Sequence, residues 1–205
     1  MGATKQQVRE EALRNRAAIP FIERMHKSTR ICDRVGVMLG ELLPENRREK
    51  QPVVTMYSAM RSEVDLSELA HGILSHECRL CFPAMIKGSE DGRPSHMEFF
   101  EVNWNQLDDT GESFLTKPLK LYTREGLESE GFPYVSEDQI DVVITPVVAF
   151  DSENRRLGYG GGNYDRLFKL IRPEAIVIGV AFSEQEVAVV PTDEYDVTLP
   201  VIVHE

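Results

Sequence analysis

The run DVVITPVVAF (Asp141–Phe150), followed after a polar turn by RRLGYGGGNYDRLFKLIR (Arg155–Arg172) and AIVIGVAF (Ala175–Phe182), decides the fold. Its first and third segments are nearly continuous in apolar residues, as expected of strands buried on both faces. Between them lie a cluster of glycines and a segment that reads as an amphipathic helix beginning near Asn163. Strands alternating with helices build a mainly parallel sheet covered on both sides.

Working outward, the same alternation recurs. PVVTMYSAM (Pro52–Met60) reads as a strand, Glu63–Glu77 as a helix with Leu66, Leu69, Ile73 and Leu74 on one face, and RLCFPAMI (Arg79–Ile86) as a second apolar strand. Lys5 to about Leu43 carries helical spacing broken at Pro20, with a further break in the Pro44 region, and so predicts two helices. Lys87–His96 reads as a polar loop, and Met97–Asn103 as a short amphipathic strand. Periodicity is uninformative from Trp104 to Glu137, and TLPVIVHE closes the chain as a strand. The expectation is one α/β domain over 1–205: three layers, α/β/α, around a mostly parallel sheet, with the site at the carboxyl ends of the strands.

Composition narrows the function. The 205 residues carry 34 Asp plus Glu against 23 Lys plus Arg, a formal net charge of -11. Excess carboxylate repels phosphate backbones, which argues against a nucleic-acid binder. No apolar run approaches the roughly 20 residues that cross a bilayer, and the N-terminus lacks the apolar core of a signal peptide. Three cysteines do not suggest a disulfide framework, so the cytoplasm is the expected compartment, with a mitochondrial destination left open. A monomer acting on a small molecule fits these bounds.

Chemistry concentrates at Gly158, Gly160, Gly161 and Gly162. A loop without Cβ atoms can turn sharply and present backbone N–H groups to an anion, and a following helix N-terminus adds partial positive charge. Arg155 to Arg172 contains five cations (Arg155, Arg156, Arg166, Lys169, Arg172) and one Asp, a local +4 in an acidic chain. A phosphate-bearing ligand accounts for that excess; a flexible turn beside a solvated basic helix face is the plainer alternative. The glycine order matches neither the P-loop nor the dinucleotide fingerprint. Asp165, just after the glycines, either complements the helix dipole or helps hold Mg²⁺ beside phosphates. Asp196 is a candidate second carboxylate.

Other candidates read as structural. Cys78 and Cys81 form C-x-x-C without a second pair, and with His71 and His76 they match no zinc spacing. Cys32 reads as helix packing. Trp104, Phe99 and Phe100 are core aromatics before they are ligand walls. His26 and His96 lack evident partners and are expected at the surface.

The run FDSENRRLGYGGGNYDRLF, between DVVITPVVAF and the segments VIGVAFSEQ and VPTDEYD, resembles the 5-formyltetrahydrofolate cyclo-ligase family, also called methenyltetrahydrofolate synthetases. The resemblance is densest from Asp141 onward and extends to Lys5, Arg9 and YSAMRSEVDL. It implies an enzyme that uses ATP and Mg²⁺ to close 5-formyltetrahydrofolate, possibly polyglutamylated, into 5,10-methenyltetrahydrofolate through a phosphorylated formyl group. It further implies that Lys5, Arg9 and the loop Arg156, Leu157, Gly158, Tyr159, Gly160, Gly161, Gly162, Asn163 and Tyr164 bind ATP. Arg156 and Tyr164 would be catalytic. Ser58 and Glu63, with Tyr159 to Asn163, would bind the folate, near an apolar wall of Tyr57 and Met60 and beside Phe82 and Pro83. Asp165 and Asp196 would hold Mg²⁺.

The chain departs from the family pattern at Asn163, Tyr159, Ser58 and Ala84. A non-catalytic nucleotide- or folate-binding paralogue therefore stands as the alternative function. A sugar-phosphate isomerase or acyl-CoA transferase on a related scaffold would need an acidic nucleophile or base that the sequence does not display.

Overall fold

A computed structural model describes residues 3–43, 51–88, 92, 94–109, 111 and 113–205. Part of the loop read at Lys87–His96, and the break read at Pro44, lie outside these residues. Helix α1 (Lys5–Ala18) starts at Thr4, whose side chain accepts from the Gln7 N–H while Gln7 returns a bond to the Thr4 N–H. This reciprocal cap satisfies two amides that the first turn would leave unpaired. The chain breaks at Ile19–Pro20, and α2 (Phe21–Leu42) follows, since proline is tolerated only at a helix start.

Strand β1 (Val53–Thr55), helix α3 (Ser67–Ser75) and strand β2 (Arg79–Ile86) form a strand–helix–strand unit whose two strands pair in parallel. Strand β3 (His96–Val102) returns antiparallel along β2. The stretch that periodicity left unread resolves into α4 (Trp104–Leu107), β4 (Leu121–Tyr122), α5 (Arg124–Ser129) and β5 (Tyr134–Val135). Strand β6 (Val142–Pro146), the hairpin of β7 (Ala149–Phe150) and β8 (Arg156–Leu157), helix α6 (Asn163–Leu167), β9 (Ile176–Ala181) and β10 (Val201–His204) complete the chain.

The main sheet runs β10-β9-β6-β1-β2-β3-β5, with β4 also paired to β2. Five of its pairings are parallel; those of β3 with β2 and β5 are antiparallel. Neighbouring residues feed opposite faces, as the two-residue period of strands requires. Val54, Leu80, Val142 and Phe100 pack beneath Ile31, Val35 and Leu39 of α2 and Leu69 and Ile73 of α3. Val53, Cys81, Val143 and Phe99 face the other way, against Leu167 of α6. Fully burying such side chains contributes roughly 1.5–3 kcal/mol each.

The expected three layers are present, but unequally. One face carries two full helices; the other carries a five-residue helix, the β7–β8 hairpin and the segment leading to Leu199. The helix read as beginning near Asn163 ends at Leu167, after which the chain continues in turns, with the Leu170 and Ile171 amides both bonding the Leu167 carbonyl. Asp141–Phe150, read as one strand, is two. At Val147 the amide still bonds Val180 of β9, whereas the Val148 amide turns to Leu157 of β8. At Gly179 the sheet and its cover come so close that a Cβ would lie 2.7 Å from Leu199 Cδ1.

Two facts position the site. The chain leaves β1 for β2 in one direction and leaves β6 for β9 in the other, so β1 and β6 flank the switch point where open sheets bind ligands. Residues Met56–Met60, read as strand, are not in the sheet; β4 pairs with Met85 and Ile86 instead. The early end of β1 leaves a notch above the sheet.

Candidate active site

Over that notch lies a cleft of about 850 Å³, lined by Thr145 and Pro146 from the end of β6, Tyr57 and Ser58 beyond β1, and the glycine loop. Helix α1 closes one wall. Val8 and Ala12 pack it on Ala149, Leu157 and Val190, which fixes the helix to the hairpin that launches the loop. Lys5, Arg9 and Arg16 then fall on one stripe, at helical spacings of four and seven.

The loop is held by this stripe. Arg9 Nε donates to the Gly158 carbonyl at 2.8 Å. Gly160 adopts φ +97°, a region that side-chain-bearing residues rarely enter, and Gly162 at φ +65° caps α6. Arg156, buried at the end of the hairpin, donates from Nη1 to the Val197 carbonyl at 2.7 Å and from Nη2 to Asp165 Oδ1 at 2.9 Å. Lys5 Nζ pairs with Asp193 Oδ2 at 2.7 Å and with Asp196. The structure thus brings Lys5, Arg9, Arg156, Asp165 and Asp196 to one cleft, from segments as far apart as 191 residues.

The second flank is less polar. Met60, Pro83, Ala84, Met85, Met97 and Leu119 line it, with Leu119 71% exposed at the mouth. Within it Glu63 is buried at 6% exposure; Oε2 accepts the Met60 N–H at 2.8 Å and Oε1 accepts the Tyr159 hydroxyl at 2.7 Å. Burial raises its pKa, opposed by those two bonds and by the charge of Arg16. Burial also raises the phenol of Tyr164, against a hydrogen bond with Thr145, so that the ring is a neutral hydroxyl facing the cleft. Asn163 Nδ2 contacts Met85 Sδ at 3.6 Å and Oδ1 accepts from Arg166, which ties the loop to β2.

Several expectations are corrected. The local excess of five cations divides: Arg155 turns to Asp151 and Glu153, and Arg172 to Asp141 and Glu174, while Arg156, Arg166 and Lys169 face the cleft. Phe82 is buried in the core and not in the cleft wall, whereas Pro83, Ala84 and Met85 line the cleft. Trp104, expected in the core, is 44% exposed, with its ring centroid 5.6 Å from that of His71. His96 has a partner, Glu98 Oε1 at 2.9 Å. Cys32, Cys78 and Cys81 are buried in the core, in line with the structural reading.

Three lining or supporting residues were missed. Asp193 lies in the turn that contains Asp196, Tyr195 beside it lines the cleft, and Arg16 sits two turns along the stripe from Arg9. The stripe spacing and the acidic turn were available signals. As a metal set, Asp165 and Asp196 supply hard oxygen donors of the kind Mg²⁺ takes together with phosphate oxygens. Among the described residues no three His, Cys, Asp or Glu side chains gather into a metal cage. No helix of the described residues is long and apolar enough to cross a membrane.

A family model described as the 5-formyltetrahydrofolate cyclo-ligase family matches residues 1–205. The chain is similar to a 5-formyltetrahydrofolate cyclo-ligase of Haemophilus influenzae, 40% identical over 63 residues, 30% of this chain and 34% of that one. The match to the Escherichia coli K12 protein of that name is 42% over 66 residues, 32% and 36% of the two chains. These alignments thus span about a third of the relatives' length. The Mycoplasma pneumoniae protein of the same name is 22% identical over 202 residues, 98% of each chain. Among solved structures, a 5,10-methenyltetrahydrofolate synthetase from Mycoplasma pneumoniae superposes with TM-score 0.70 at 22% identity, covering 98% of both chains. One from Aquifex aeolicus gives 0.64 at 27%, covering 98% of this chain and 89% of that one.

Proposed function

Because the chain belongs to the 5-formyltetrahydrofolate cyclo-ligase family, we propose that it converts 5-formyltetrahydrofolate to 5,10-methenyltetrahydrofolate with ATP and Mg²⁺, releasing ADP and phosphate. The observation that carries this reading is the two-sided cleft: Lys5, Arg9, Arg156 and the glycine amides on one flank, and an apolar wall around the buried Glu63 on the other. A triphosphate needs the first and a pterin the second.

In the proposed reaction the formyl oxygen attacks the γ-phosphorus, its bond to the bridging oxygen breaks, and ADP leaves. N10 of the folate then attacks the activated formyl carbon, phosphate departs with the C–O bond pair, and the N10 proton leaves with the phosphate. Such chemistry asks for positioning and charge neutralisation more than for covalent work by side chains. Arg156, anchored through Nη1 on the Val197 carbonyl, would offer Nη2 to the transferring phosphoryl group in place of Asp165. Lys5 and Arg9 hold the remaining phosphate charge. Tyr164, a phenol and so neutral at physiological pH, donates without carrying charge, and Glu63 accepts from a pterin N–H. Asp165 and Asp196 would hold Mg²⁺, which supplies neutralisation of the phosphate oxygens.

Purified protein incubated with 5-formyltetrahydrofolate, ATP and Mg²⁺ should develop the methenyl chromophore with one ADP per turnover. ATP binding with neither product would overturn the reading in favour of a non-catalytic paralogue, to which the engaged amide of Asn163 would then be a clue.

A further inference from the structure

Arg16 is 3% exposed, does not line the cleft, and makes contacts that no other residue of α1 makes. A guanidinium buried among apolar neighbours is costly unless its donors are matched, and a hydrophobic residue at the same depth would often be as stable or more so. Here the donors meet three separate segments. Nη2 bonds the Tyr159 hydroxyl at 2.8 Å, Nε bonds Ser62 Oγ at 3.2 Å, and Nη1 lies 4.0 Å from Glu63 Oε1. Its partners stand 143 and 46 residues away in sequence.

Hydrogen-bond direction follows from this arrangement. Guanidinium can only donate, so the Tyr159 oxygen accepts from Arg16 and has one proton left to give. That proton goes to Glu63 Oε1, 2.7 Å away. Oε2 is already held by the Met60 N–H. Both carboxylate oxygens are therefore fixed, in a side chain that lines the cleft.

We propose that Arg16 is a positioning residue for the folate half of the site, orienting Glu63 through the Tyr159 hydroxyl. The proposal rests on the cyclo-ligase reading and deepens it. One guanidinium ties the phosphate loop to the turn bearing Glu63, so a loop disturbed at Tyr159 also disturbs the carboxylate on the opposite flank. Lys5 and Arg9 on the same helix stripe touch the phosphate flank alone, which separates their role from that of Arg16.

The test measures kcat and the KM of each substrate for wild type, Arg16→Met, Arg16→Lys, Tyr159→Phe and the Arg16→Met/Tyr159→Phe double variant, with thermal melts alongside. Losing a hydrogen bond to a charged group should raise the folate KM about tenfold in each single variant, with the ATP KM unchanged within a factor of about two. The double variant should also stay near tenfold, because the residues act as one unit. Arg16→Lys should recover only part, lacking the planar fork. Multiplicative losses near a hundredfold, an equal rise in the ATP KM, or an unchanged folate KM would each overturn the proposal. Should Arg16→Met fail to fold, Tyr159→Phe removes a single oxygen and carries the same test. Calorimetric folate affinity, read without ATP, keeps the proposal distinct from the parent reading: it should weaken about tenfold in the variants even if wild type proves catalytically silent, and an unweakened affinity would overturn it.

Discussion

Arg156 and Asp165 bracket the glycine loop and are joined across it, Nη2 to Oδ1 at 2.9 Å. The residue expected to meet phosphate and the residue expected to meet the metal therefore neutralise one another. Asp165→Asn breaks the pair without changing shape. It should lower Mg²⁺-dependent turnover by about 10²-fold while leaving folate affinity within about twofold. Calorimetry with 5-formyltetrahydrofolate beside steady-state turnover reads both; equal losses would mean that Asp165 supports only the fold.

Lys5 occupies the two carboxylates at the far side of the cleft, Asp193 and Asp196, and their attraction raises its pKa despite some desolvation. Removing the ammonium with Lys5→Met should have opposite effects on two ligands. ATP should bind about tenfold more weakly for want of a cation, whereas Mg²⁺ alone should bind more tightly because its carboxylates are released. Titration of each ligand separately checks the pair of signs.

Gly160 and Gly158 make a controlled comparison. At Gly160, φ is +97°, so Gly160→Ala strains the loop whatever room its methyl has; at Gly158 no such φ occurs and a Cβ meets nothing within 4 Å. Gly160→Ala should cost about 1–2 kcal/mol and Gly158→Ala less than about 0.5 kcal/mol. Urea unfolding of both variants decides it, and equal costs would show that the loop's conformation is not what selects glycine.

Acid should unfold the protein through two carboxyls held below their ordinary values. For Asp151, burial works the other way but is outweighed by the Val190 N–H, the Arg155 guanidinium and the Glu153 and Arg155 N–H groups; for Glu98, burial is outweighed by Arg124 and His96. Each binds fewer protons folded than unfolded. Each therefore contributes stability above its unfolded value, 3.8 and 4.5 respectively, and that contribution is lost as pH falls through the lower folded value. Melting temperature should drop steeply below about pH 4.5, and Asp151→Asn should flatten the drop while costing about 2 kcal/mol at neutral pH. A parallel acid limb in the variant would dismiss Asp151 as a contributor.

What the sequence made legible follows from local rules. The apolar runs at Val142–Pro146 and Ile176–Ala181 declare buried strands, and the glycines between them declare an anion loop, because each signal is carried by neighbouring residues. Harder to read was anything set by meeting partners. The division of Asp141–Phe150 depends on β8 arriving to claim Val148, and the fates of Arg155 and Arg172 depend on Asp151 and Asp141. Arg16 looked like one more cation on a basic helix. Only the fold reveals that its stripe turns inward at that point and meets Tyr159 and Glu63.

The helix that comes first in the chain is seated on a hairpin and loop that come near its end: Arg9 on Gly158, Arg16 on Tyr159, Lys5 on Asp193 and Asp196. Arg16 meets Ser62 only 46 residues on, whereas Arg9 and Lys5 meet Gly158 and Asp196 across 149 and 191 residues, and the entropy of closing a loop grows with its length. The two halves of the stripe therefore differ in reach: Arg16 is tied to the first half of the chain as well as to the loop, while Lys5 and Arg9 depend on the last quarter of the sequence alone.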